Sequence, residues 1–132
     1  MRYTDDSALP EISEPEFLEI RQTAREYTVM VLRAGPHFQM PGPNRDTEVT
    51  RVVSAHGMRN MRLKLAGLMP VICPIADGSG VTGIGIFDAG PEEVRRIMAG
   101  DPGVQAGVFT FEAHPCQSFP GSSLPAEPNP VD

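Results

Sequence analysis

The sequence predicts an α+β fold: an antiparallel sheet covered on one face by two helices, with an added helix at the N-terminus. Three observations lead there. Four short stretches are rich in β-branched and aromatic residues, at Tyr27–Ala34, Leu68–Ile75, Val81–Asp88 and Val108–Pro115. Two stretches between them, 47–67 and 91–100, read as helices. Their order, β-α-β-β-α-β, is that of the ferredoxin-like split βαβ motif.

Residues 1 to about 12 are polar without an apolar period, and a loose segment is expected there. Ser13 can cap the N-terminal helix, Pro15 suits its first turn, and Glu14 and Glu16 suit its positive end. Phe17, Ile20 and Ala24 fall on one of its faces. The first strand, Tyr27–Ala34, ends at Gly35-Pro36, and a loop with three prolines follows. In the long helix Val49, Val52, Val53, His56, Asn60 and Leu63 keep a spacing near 3.6, and Gly67 ends it. The second strand carries Pro70 and Pro74, which suit an edge or a bulge. Residues 76–80, ADGSG, can close a hairpin to the third strand. There Gly83 and Gly85 alternate with Ile84 and Ile86, so one face lacks side chains and a ligand or another chain can come close. The helix at 91–100 has Pro91 and two glutamates at its start, arginines later and Gly100 at its end. After the fourth strand, the tail from Cys116 has four prolines and no period, and is expected to be extended or disordered. The expected organisation is an extension over 1–26, a ferredoxin-like domain over 27–115 and a proline-rich tail over 116–132.

A chain of 132 residues can bury a real core as one domain, and 40% hydrophobic residues argue against wholesale disorder. The net charge of −6 argues against a nucleic-acid partner, which needs a basic face. Seven acids against three arginines lie before Tyr27, so that segment carries −4 of the total. A solvated helix face explains it. Cys73 and Cys116 lack metal-ligand spacing. No stretch resembles a signal peptide or is long enough to span a bilayer, so a cytoplasmic protein with reduced thiols and no membrane partner is expected. With both helices on one side of the sheet, the other side stays apolar, and sheet-to-sheet pairing in a homodimer would cover it.

Residues 55–69, AHGMRNMRLKLAGLM, and 73–115, from CPIADGSG to FTFEAHP, resemble the YCII-related family of the dimeric α/β-barrel superfamily. The most specific piece is the DP-x-V-x-A-G run formed by Asp101, Pro102, Val104, Ala106 and Gly107. His56 followed by Leu63 and Gly67 is also typical of the family. The resemblance covers roughly Tyr27 to Pro115 and leaves out both ends. It implies a fold similar to that of muconolactone isomerases and a His–Asp pair in a cleft beside the sheet, here His56 and Asp101. Some members act in aromatic degradation, one as a dehydrochlorinase. Where the family often has Gly-Pro after the second strand, this chain has Cys73-Pro74, so a cysteine would intrude on the pocket or line it.

A carboxylate beside an imidazole fixes its tautomer and makes it a better base, and such a pair can move a proton next to a carbonyl without a cofactor. The expected function is therefore cofactor-free isomerase, lyase or cyclase chemistry on a small, largely apolar carbonyl or enol compound. A plainer reading stands beside it: Asp101 as an Asx-turn former and His56 as a satisfied core residue. Arg59 and Asn60, three and four residues after His56, can reach a substrate oxyanion, or serve as a surface charge and a buried polar contact. His37 can reach the pocket mouth from its loop, or stay exposed there. Three histidines on three separate elements give no metal signal, and GIGIF lies inside a strand, unlike a dinucleotide-binding turn. A metabolite-binding module and an accessory subunit are the rival functions.

Overall fold

A computed structural model describes residues 1–130; Val131 and Asp132, the end of the expected tail, lie outside the described residues. The chain divides into two units, one of Met1–Arg25 with the chain from Gln117 onward, the other Glu26–Cys116.

In the first unit Ser13 caps helix α1 (Glu14–Arg21): its Oγ accepts from the Glu16 amide at 3.2 Å and donates to Glu16 Oε1 at 2.9 Å. The Ser13 cap was readable in the sequence. The expected apolar face of α1 is not buried, since Phe17 and Ile20 are exposed and Ala24 lies beyond the helix end. The segment expected to be loose holds a short 3₁₀ turn at Asp6–Ala8, capped by Asp5.

The second unit is α+β. Four antiparallel strands, β1 (Arg25–Ala34), β2 (Val71–Pro74), β3 (Val81–Phe87) and β4 (Phe109–Ser118), form one sheet in the order β2-β3-β1-β4. That order is compatible with the ferredoxin-like arrangement. The two proline-bearing strands are the edges, where a missing N–H costs no ladder bond. This also explains β4 running on through Pro115 to Ser118, into residues expected to belong to the tail.

Thr28 pairs with Phe87, Met30 with Gly85 and Leu32 with Gly83; alternation puts all six on one face. Helices α2 (Thr47–Leu65) and α3 (Pro91–Ala99) lie on that face. Met30, Leu32, Phe87, Val94 and Met98 share one core with Val49, Val52, Val53 and Leu63 of α2. Gly85 is bare for a local reason: a β-carbon there would sit 2.5 Å from Met69 Sδ. The close approach expected at this strand therefore comes, at Gly85, from the chain's own Met69. Gly67 ends α2 at φ +77°, with the Leu68 amide on the Leu63 carbonyl and its own amide on Lys64. This Schellman stop turns the chain into β2.

The chain after Asp101 departs from expectation. A one-turn helix, α4 (Pro102–Gln105), stands between α3 and β4, where no element was expected. Asp101-Pro102 is a cap followed by a first-turn proline, so it starts a helix as well as following one.

Candidate functional site

His56 and Asn60 stand one turn apart on the buried stripe of α2. They are 7% and 8% exposed in a helix otherwise without buried residues, so the polar pair sits deepest. Asp101 is wholly buried at the start of α4. Its Oδ2 accepts from the amides of Gly103 and Val104 at 2.9 and 3.1 Å, the cap that holds the carboxylate still. Both carboxylate oxygens then lie 2.9 Å from His56 Nδ1.

This geometry fixes the proton. A carboxylate has only acceptors to offer, so Nδ1 carries the hydrogen and the neutral ring keeps its lone pair on Nε2. Asn60 Nδ2 lies 3.1 Å from Nε2 and donates to it. The resulting line runs Asp101–His56–Asn60, and it leaves the Asn60 carbonyl oxygen buried with no protein partner. The Phe109 ring packs against the imidazole with centroids 4.7 Å apart. Gly103 permits that packing: a β-carbon there would lie 2.5 Å from Phe109 Cδ2.

His56 and Asn60 border a cavity of about 230 Å³ whose other walls are mainly apolar, among them Met30, Leu32, Met69 and Ile72. Thr82 also borders it, beside the register shift in the β1–β3 ladder, and its buried hydroxyl has no partner. Buried polar groups without partners are uncommon in native proteins, and two on one cavity wall mark a place where a polar ligand can supply them.

No family model and no curated protein matches the chain.

Of the sequence candidates, His56, Asp101 and Asn60 come together. Arg59 stands behind the pair and is not a cavity wall: its Nη2 donates to the Ile97 carbonyl at 2.7 Å and its Nη1 lies 3.9 Å from Asp101 Oδ1. Its role is to help balance the buried carboxylate. Cys73 borders the cavity, but it pairs with Ile84, which pairs with Val31. Strand alternation puts its side chain on the sheet face away from the helices, so of the two expectations Cys73 borders the cavity without intruding on it. His37 does not reach this cavity: it is exposed, lies against Gly107 and borders a separate cleft with Gln39 and Asp46. Sequence reasoning missed Thr82 and Phe109. The alternation of Phe109, Phe111 and Ala113 could have placed Phe109 on the inner face; nothing marked Thr82. Among the described residues no group of three His, Cys, Asp or Glu side chains could hold a metal, and no helix is long and apolar enough to cross a membrane.

Proposed function

We propose that the chain is a cofactor-independent acid–base enzyme of isomerase, lyase or cyclase type, acting on a small, largely apolar carbonyl or enol compound. The observation that carries this reading is the buried Asp101–His56 pair, in which His56 is a wall of an apolar cavity. Asp101 orients the ring and stabilises it once charged, and His56 Nε2 is the base. Substrate entry displaces the Asn60 amide from Nε2. The freed N–H then faces the oxyanion that develops as the proton leaves. The resemblance to YCII-related proteins agrees with this assignment, and membership of that family is part of the proposal.

The test needs no named substrate. In D2O, small ketones and enolisable acids are followed by proton NMR for exchange of hydrogen next to the carbonyl. The wild-type chain is expected to exchange at least one of them, and His56→Gln to slow that exchange by about 10²–10⁴-fold. Equal exchange by the variant would sink the mechanism. A second reading, a binding module, is favoured by one contact: Nε2 is already occupied by Asn60. In that case ligands bind, His56→Gln binds them too, and nothing exchanges.

The proposal includes a homodimer paired sheet to sheet. Val29, Val31, Ile84, Ile86 and Val71 are only partly buried and lie by register on the face away from the helices. Such a contiguous apolar surface favours a cover. Sedimentation equilibrium should find a dimer that Val31→Glu with Ile84→Glu converts to a folded monomer. A monomeric wild-type chain refutes the pairing.

A further inference from the structure

We infer that the ligand of this site is a monocarboxylate, or an anion of like size, whose acid group is bound by Arg45 while its other end lies at His56. A second hollow of about 470 Å³ adjoins the first, and Val53, Pro74, Thr82 and Phe109 are walls of both. Its walls are mostly apolar, with Phe38, Met40 and Ile75 among them. Among the described residues Arg45 is the one Asp, Glu, Lys or Arg on the walls of either hollow.

Arg45 is half-buried and held in place, with Nε donating to Thr50 Oγ1 at 3.0 Å. Among the described residues no carboxylate pairs with it. The two acids nearest in sequence are engaged elsewhere: Asp46 accepts from Gln39 at 2.9 Å, and Glu48 is paired with Arg51. A guanidinium fixed by one nitrogen, with the rest of its fork unpaired beside an apolar hollow, is suited to a carboxylate. The Thr82 hydroxyl, unpartnered where the two hollows meet, offers a polar contact midway. The spacing sets a lower limit on the ligand's length. His56 stands six positions after Thr50 on α2, about 9 Å of axial rise, and partly round the helix from it. An aromatic ring with a short acid chain spans that distance.

The inference rests on the proposed function for what happens at His56, and not for what binds at Arg45. The test uses phenylbutanoate and its neutral amide, titrated calorimetrically into the full chain. The acid should bind about ten- to a hundredfold tighter than the amide, as a charge-assisted contact does. Arg45→Gln should erase that preference, Arg45→Lys should keep part of it, and His56→Gln should keep it whole. Thermal melts of the variants check that they fold. Equal binding of acid and amide, no binding of either at millimolar concentration, or an acid preference that survives Arg45→Gln overturns the assignment. Preference for the acid without hydrogen exchange leaves Arg45 assigned and refutes the enzyme. Exchange of neutral ketones without that preference does the reverse.

Discussion

Asp101→Ala is expected to destabilise the domain by about 3–5 kcal/mol, because each buried donor left without its acceptor costs about 1–3 kcal/mol. The residue is wholly buried and serves three donors at once: the Gly103 amide, the Val104 amide and His56 Nδ1. Alanine leaves all three unsatisfied and strands Arg59 beside them without its counter-charge. Loss of the α4 cap alone accounts for about 1 kcal/mol of the total. The measurement is the urea midpoint at unchanged slope.

Asp101→Asn separates the electrostatic part from the shape. An amide brings one acceptor and one NH2 to a site that presents only donors. The site can adapt if His56 moves its proton from Nδ1 to Nε2, so that Nδ1 accepts from the new amide. Asn60 must then turn its carbonyl toward Nε2. The stability loss should be smaller, about 1–3 kcal/mol. Nitrogen-15 shifts of the ring should show Nδ1–H in the wild type and Nε2–H in the variant. Exchange activity should fall about a hundredfold or more, because the lone pair now faces the wrong way. An unchanged tautomer would mean that Asp101 does not set the proton's position.

What the sequence could and could not disclose follows from the range of each signal. The inward stripe of α2 was legible because helical period is local, so His56 and Asn60 stood out as polar residues in an apolar row. Asp101 was legible as a turn residue, yet its partner was not derivable from spacing, since the two positions lie 45 residues apart. Only the resemblance joined them. Asp101 was read as a turn former when, followed by Pro102, it also caps a helix, and α4 was missed. Whether Cys73 would intrude on the pocket or only border it was left open, because a four-residue strand bounded by prolines gives no register; the pairing with Ile84 supplies it. Arg45 and Thr82 carry no pattern of their own. One lies in a loop and the other beside a ladder irregularity, and only tertiary packing puts both beside the same hollows.

Phe109→Ala is expected to cost about 3–5 kcal/mol, as large aromatic truncations in cores do. Phe109 is 5% exposed, packs on the imidazole of His56 and on Phe38 with centroids 4.7 and 6.1 Å away, and is a wall of both hollows. Its removal should enlarge the space between them and leave the His56 ring free to tilt off its line with Asp101 and Asn60. Phe109→Leu keeps most of the volume and should cost less than about 1.5 kcal/mol. The cause of the loss can be read directly. If an apolar void replaces the ring, benzene should bind there and raise the variant's stability with concentration, by linkage, far more than it raises the wild type's. If the variant gains nothing from benzene, the ring's worth lies in holding β4 and α4 together rather than in filling the space beside His56. Exchange activity then discriminates further. A variant restored in stability by benzene but still slow in exchange would show that the ring's contact with the imidazole matters to proton transfer beyond its part in the fold.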